Sequence, residues 1–171
     1  MHHATIDIIK ASSPNDFDAA GSLLAQYRWW LEKLVGGELA TVQPSSLRER
    51  ADLEHFYEPS SGRLLVSTVD GKPSGVVGVH RLDAGVGELK RLYVAPEARG
   101  LGISRNLVVA AAEAAFDLGF HVLRLETHAG HMPAAVALYR KLGFRETEPY
   151  HSVVGVEEVL TLELWLHPLA A

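Results

Sequence analysis

Arg99-Gly100-Leu101-Gly102-Ile103-Ser104 is the stretch of this chain best suited to holding an anion. It follows the apolar run Leu92-Tyr93-Val94-Ala95, which stops at Pro96, and it opens a helical pattern. A helix start carries backbone N–H groups with no intrahelical acceptor and the positive end of the helix dipole. Glycine at 100 and 102 allows a tight turn and a close approach of backbone to ligand. Strand, glycine turn and helix start together make a phosphate cradle. The Gly-x-x-x-x-Gly-Lys-Ser/Thr loop of nucleotide hydrolases is absent, which argues against a nucleoside triphosphate. The bland alternative is an ordinary strand–turn–helix connection.

A second pattern, Ala135-Val-Ala-Leu-Tyr139-Arg-Lys-Leu-Gly143-Phe144, follows in the order the first requires. The spacing Arg99-x-x-Gly102-x-Ser104 resembles the Arg/Gln-x-x-Gly-x-Gly/Ala signature of the GNAT superfamily of N-acetyltransferases. The second stretch resembles that family's Ala-x-x-Leu-Tyr-x-x-x-Gly-Phe helix. Ser104 stands where the family has Gly or Ala, and serine is small enough to keep the approach close. The two motifs cover roughly residues 86 to 145.

The resemblance implies a fold, a cosubstrate and roles. Arg99, Gly100, Leu101, Gly102, Ile103 and Ser104, with backbone donors extending to Arg105, would hold the pyrophosphate of acetyl-coenzyme A. Leu92, Tyr93 and Val94 would pair with the pantetheine arm as with an extra strand. The Leu92 N–H would face the thioester carbonyl as an oxyanion donor. Tyr139 would protonate the leaving thiolate, its plain alternative being a core tyrosine on an amphipathic helix. Many relatives carry Asn near position 132; Met132 stands here, and that contact is assigned to no residue.

Acetyl transfer to an amine also needs a base. A lysine-like amine has a pKa of ~10.4, about three and a half units above neutrality. Glu88, at the start of the central strand, is the first candidate, directly or through water. Its plain alternative is a strand end bridged to Lys90 or Arg91. Glu126 on the partner strand is the second candidate, and the sequence leaves Glu88, Glu126 and water open. His121, His128 and His131 complete no metal motif such as His-Glu-x-x-His, so no metal is expected. His128 and His131 could instead line the cleft.

The composition is that of a globular chain: 171 residues, 47% hydrophobic and 22% charged. A net charge of −5 argues against nucleic acid as partner. There are no cysteines, so disulfides, thiolate metal sites and an acetyl-cysteine intermediate are excluded. No apolar run approaches the ~20 residues of a membrane span, and the start is not a signal peptide. A cytoplasmic protein without a membrane partner, monomer or homodimer, is expected.

The elements that must position these residues read as a single α/β domain over 1–171. Thr5–Ala11 is a strand. Ser13-Pro14 caps a helix that ends at Gly36-Gly37. Tyr27-Arg28-Trp29-Trp30 puts two tryptophans on different faces of that helix, one for the core and the other for the acceptor site or a partner surface. The Gly36–Pro44 loop overhangs the cleft in relatives. A second helix runs from Ser45 to about Tyr57. Asp70-Gly71 joins the strands Arg63–Val69 and Pro73–Leu82 as a hairpin. Strand Glu88–Val94, helix Gly102–Leu118 and strand Phe120–Thr127 form a parallel crossover. A helix from Pro133 to Gly143 and the strands Phe144–Pro149 and Val159–Leu166 finish the chain. A mixed sheet with helices on both faces follows, and the family resemblance implies that Glu88–Val94 and Phe120–Thr127 splay apart around the coenzyme.

The function read from these residues is transfer of an acetyl group from acetyl-coenzyme A to a primary amine, by direct attack in a ternary complex. The acceptor is a small molecule or amino-acid-like. A non-catalytic acyl-coenzyme A sensor, a longer acyl donor, and a protein lysine or N-terminal acetyltransferase are the rivals.

Overall fold

The computed structural model describes residues 4–35, 44–150 and 159–167. Asp70 and Gly71 both have left-handed backbones, φ 48° and 78°. That combination makes the tight turn whose twist matches paired strands. It joins β2 (Gly62–Val69) to β3 (Lys72–Asp83), and β1 (Ile6–Lys10) pairs antiparallel on the other side of β2. β3 pairs antiparallel with β4 (Val86–Val94). A short 3₁₀ turn at Pro96–Ala98 and a helix then carry the chain across to β5 (Val122–His128), which lies parallel to β4. The two-residue β6 (Arg145–Glu146) and β7 (Val159–Trp165) complete a seven-stranded sheet of order β1-β2-β3-β4-β5-β7-β6.

The helices are α1 (Pro14–Val35), α2 (Pro44–Ala51), α3 (Leu53–Phe56), α4 (Ile103–Asp117) and α5 (Pro133–Lys141). Strand alternation divides the buried side chains between the two sheet faces. Leu65, Val77 and Leu89 pack with Ile103, Leu107 and Ala111 of α4 and with Tyr139 of α5. Leu64, Val66 and Val76 pack on the opposite face with Ala20, Leu23 and Leu24 of α1 and Phe56 of α3. Among the described residues no helix is long and apolar enough to cross a membrane.

Three sequence expectations need correction. The second helix is two helices. Asp52 adopts an extended backbone, φ −156°, and its carboxylate accepts the His55 N–H at 2.9 Å, so α3 starts afresh with its own cap. The strand expected over Phe144–Pro149 shrinks to Arg145–Glu146, which pair with Glu163 and Leu162 of β7; Thr147 adds one further backbone bond, to the Thr161 carbonyl at 3.1 Å. β4 contains a bulge that no glycine announces. The Gly36-Gly37 helix stop and the Gly36–Pro44 loop fall largely outside the described residues. Of the two tryptophans, Trp30 packs against the α1-side core, while Trp29 is 61% exposed with the Lys33 ammonium 4.0 Å from its ring.

Candidate active site

β4 and β5 pair only at Val86, Gly87 and Glu88, opposite Val122, Leu123 and Arg124. Beyond Glu88 they part. β4 stays paired with β3 as far as Val94, and β5 stays paired with β7 as far as His128. The sheet therefore opens on the C-terminal side of Glu88, leaving one edge of the Leu89–Val94 segment without a strand.

The bulge lies beside this opening. Val76 pairs with Tyr93 and Gly78 with Lys90, so Val77 alone faces both Arg91 and Leu92, and Arg91 is left-handed at φ 63°. One extra residue reverses the alternation of every side chain after it. Leu89, Leu92 and Val94 accordingly pack on the α4 face, while Tyr93 packs on the α1 face. Lys90 and Arg91 reach the same carboxylate, Glu49 of α2. A non-glycine residue in this conformation costs on the order of 1–2 kcal/mol, so surrounding contacts must hold it.

Glu49 supplies those contacts. It is 2% exposed. Arg91 donates to it from Nε at 3.1 Å and Nη2 at 2.8 Å, and the Tyr57 hydroxyl donates at 2.5 Å. Lys90 Nζ lies 3.5 Å from Glu49 and 3.8 Å from Glu88, so it bridges the two carboxylates. Burial alone would raise the Glu49 pKa, but the hydrogen bonds and charge of Arg91, with Lys90 and Tyr57 behind them, hold it below the usual carboxylate range. Burial and the neighbouring Glu49 push the Tyr57 phenol well up. The sequence names Lys90 and Arg91 only as alternative bridge partners for Glu88, and Lys90 does reach Glu88; it does not single out Glu49 or Tyr57. The α2 segment Pro-Ser-Ser-Leu-Arg-Glu-Arg-Ala reads as a solvated helix, and nothing local distinguishes Glu49 from a surface glutamate.

Glu88 accepts a hydrogen bond from the Tyr150 hydroxyl at 3.1 Å. Burial raises the Tyr150 pKa, and the charges of Glu88 and Glu126 raise it further. The two candidate bases thus flank one tyrosine, Glu88 from β4 and Glu126 from β5. His80 is paired with Glu88 across the β3–β4 ladder and stacks on Phe56 with ring centroids 4.0 Å apart. Burial and the Lys90 charge lower its pKa, which keeps it neutral at pH 7.

Tyr139 is 5% exposed, packed beside Phe144 at 5.5 Å. Its hydroxyl makes no hydrogen bond among the described residues. Burial, with Tyr27 adding to it, raises its pKa. Tyr27 belongs to the opposite core, where it packs on Tyr93 at 5.6 Å. A raised pKa keeps the Tyr139 phenol protonated at pH 7.

The loop before α4 has the features of an anion cradle. Gly100 and Gly102 are left-handed, φ 82° and 77°, and an added Cβ at either would meet no atom within 4 Å. The backbone N–H groups from Gly100 to Arg105 find no acceptor among the described residues; Asn106 is the first to bond back, to the Gly102 carbonyl at 3.2 Å. Ile103 is buried and anchors the helix start, while Leu101, Gly102 and Arg105 are exposed and Ser104 is half-buried. The Arg99 Nε donates to the Val94 carbonyl at 3.1 Å, and its guanidinium lies 5.8 Å from the Trp30 ring, which closes the end of β4. This donor-rich, open loop and the unpaired β4 edge fit a pyrophosphate with an extended polar arm. The Tyr93 side chain is buried against α1, so only its backbone could face such an arm.

Beside Arg91 lies a cavity of about 240 Å³, lined in part by Leu24, Tyr27, Arg28, Glu49, Arg50 and Arg91. His128 and His131 stand with ring centroids 6.1 Å apart. Among the described residues no group of three or more His, Asp or Glu side chains could hold a metal ion.

With this geometry in hand, comparison with known proteins is direct. The Acetyltransferase (GNAT) family profile matches residues 24–144. An uncharacterized N-acetyltransferase of Schizosaccharomyces pombe is 34% identical over 153 residues, 88% of this chain and 90% of that protein. Mycothiol acetyltransferase of Pseudarthrobacter chlorophenolicus is 38% identical over 105 residues, 56% of this chain but only 32% of its own length. Among solved structures, yncA of Salmonella typhimurium with its cofactor acetyl-CoA superposes with a TM-score of 0.71 at 21% identity, covering 97% of this chain and 96% of that one. The chain belongs to the GNAT acetyltransferase family and is an acetyl-CoA-dependent acyltransferase.

Proposed function

We propose that this enzyme, one domain over residues 1–171, acetylates a primary amine on a small molecule by direct attack within a ternary complex. The observation that carries the reading is the opening beyond Glu88, which has a free tyrosine hydroxyl on one side and a carboxylate cluster on the other. Acetyl-CoA, when bound, supplies the thioester carbon and a thiolate that leaves. The backbone N–H groups from Gly100 to Arg105 hold the pyrophosphate, and the unpaired edge of Leu92, Tyr93 and Val94 orients the arm. The Leu92 N–H donates to the developing oxyanion. Tyr139 gives up its proton to the leaving thiolate. Glu88, directly or through water, takes a proton from the acceptor's ammonium, and the neutral amine then attacks the thioester carbon; the second proton its nitrogen sheds as the C–S bond breaks passes through solvent to restore the Tyr139 hydroxyl. Tyr150 fixes that carboxylate in place.

The partial match to a relative named for mycothiol supports a small-molecule acceptor over a protein. The direct test is thiol release from acetyl-CoA across a panel of metabolite amines, with histone-like and N-terminal peptides alongside. Saturable turnover with a metabolite amine supports the reading. Turnover with peptides alone transfers the assignment to protein acetylation, and acetyl-CoA binding without turnover on any acceptor rejects the proposed small-molecule transfer.

A further inference from the structure

The cavity beside β4 has a charge pattern that the transfer chemistry does not use. Three arginines line it, Arg28 from α1, Arg50 from α2 and Arg91 from β4, against one lining carboxylate, Glu49. That carboxylate is already engaged by Arg91, Lys90 and Tyr57. Arg28 and Arg50 make no ion pair among the described residues. Glu32, one turn further along α1, makes none with Arg28 either. Burial lowers the Arg28 pKa and the charges of Arg50 and Arg91 lower it further, ahead of the opposing effects of Glu49 and Glu32. Like charges therefore crowd at this wall in a protein whose net charge is −5, so the positive patch is local. A concave site with uncompensated guanidinium groups is built for a carboxylate or phosphate, whose oxygens match the planar fork.

The cavity also adjoins the reaction centre. Tyr27 lines it and packs on Tyr93 of β4 at 5.6 Å, and Arg91, also in its wall, belongs to the β4 segment beyond Glu88. At about 240 Å³ it is smaller than the roughly 300–1,000 Å³ typical of sites for drug-sized ligands, which suits a compact acceptor.

Resting on the acetyl-transfer reading above, we propose that the acceptor is a small amine bearing an anionic group, a carboxylate, which Arg28 and Arg50 anchor while the amine lies toward β4 and the opening. The Leu24 side of the cavity takes the carbon skeleton. Arg91, held by Glu49, shapes the floor and contributes little net charge.

The test uses matched acceptors, the proteinogenic amino acids and their carboxamides, with acetyl-CoA and the full chain. The acids should exceed the carboxamides in kcat/KM by about tenfold or more. Arg28→Gln and Arg50→Gln should each reduce that ratio, chiefly through KM for the acids, and the double variant should erase it. Arg28→Lys should retain part of it. Equal use of acids and carboxamides, or a loss shared equally by both in the variants, would overturn the anion anchor while leaving acetyl transfer intact. If no amine is acetylated, calorimetry with N-acetylamino acids and their amides on wild type and the double variant decides the matter. Preferential binding of the acids, lost in the double variant, supports the anchor, and absence of that preference overturns it.

Discussion

The coenzyme side and the acceptor side of this molecule are built by different means. On the proposed coenzyme side the candidate groups are backbone amides, presented by two left-handed glycines and one helix start within a short segment of chain. On the proposed acceptor side they are polar and charged side chains drawn from distant positions: Arg91 meets Glu49 across 42 residues of sequence, and Tyr150 meets Glu88 across 62. Backbone chemistry is local and tolerates exchange of the exposed side chains around it. A side-chain network is non-local, and each member depends on the burial of the others. The two sides should therefore fail differently when perturbed.

The largest expected effect falls where the sides meet. Tyr139→Phe keeps the ring packed beside Phe144 and removes only the hydroxyl, which no hydrogen bond of the described residues depends on. General-acid catalysis is worth typically ~10²–10⁴-fold, so kcat should fall by that order while acetyl-CoA affinity and melting temperature stay close to wild type. Steady-state kinetics with a turned-over amine, calorimetry and a thermal melt check the three quantities. A variant that keeps more than about half of wild-type kcat, with chemistry rate-limiting, removes Tyr139 from the proton path.

Next comes the Glu49 network. Glu49→Gln removes the buried charge that compensates half-buried Arg91 and holds the left-handed bulge. Breaking a buried pair on one side costs roughly 3–5 kcal/mol, so urea unfolding should shift strongly. The pH dependence has a definite sign. The Glu49 pKa is depressed on folding, so its contribution is present above the ordinary carboxylate range and is lost as pH falls through the depressed value. Wild-type stability should decline in acid more steeply than that of Glu49→Gln. Parallel acid profiles for the two proteins would mean that the network adds no pH-linked stability. On the acceptor side, then, damage appears first as lost stability, and on the coenzyme side as lost binding.

The same contrast explains what the sequence disclosed. Gly100, Gly102 and Pro96 are punctuation that local rules read correctly, and the helix expected over Gly102–Leu118 is α4, Ile103–Asp117. Tyr139 was visible because its neighbours repeat a family spacing. Glu49 was not, since one turn of polar helix looks the same whether solvent or a bulged strand lies beside it. The bulge itself escaped because Arg91 carries it: left-handed positions are expected at Gly or Asn, and here a tertiary ion pair stands in for that preference. Asp52 was a missed cap inside an apparently continuous helix. The split between α2 and α3 turns Glu49 and Tyr57 toward the same carboxylate–phenol contact, so the overlooked cap and the overlooked network are connected.

The smallest predicted effect tests whether the cradle works through backbone conformation. Gly102→Ala adds one methyl group where no atom lies within 4 Å, so any consequence comes from its φ of 77° and not from crowding by the protein. Alanine in that region costs about 1–2 kcal/mol. Part of the strain is relieved by shifting the loop, which misaligns the N–H groups of Ile103 to Arg105 and should weaken acetyl-CoA binding by about tenfold, equivalent to ~1.4 kcal/mol. Gly87→Ala is the matched control. Its Cβ would meet the Phe120 ring at 2.6 Å, in the paired part of β4 and away from the loop. That variant should lose melting temperature while the folded fraction binds acetyl-CoA normally. Calorimetry on both, corrected for folded fraction, separates the cases. If Gly102→Ala binds as wild type does and only Gly87→Ala is altered, the left-handed glycine serves the fold alone and the phosphate contacts lie elsewhere on the helix start.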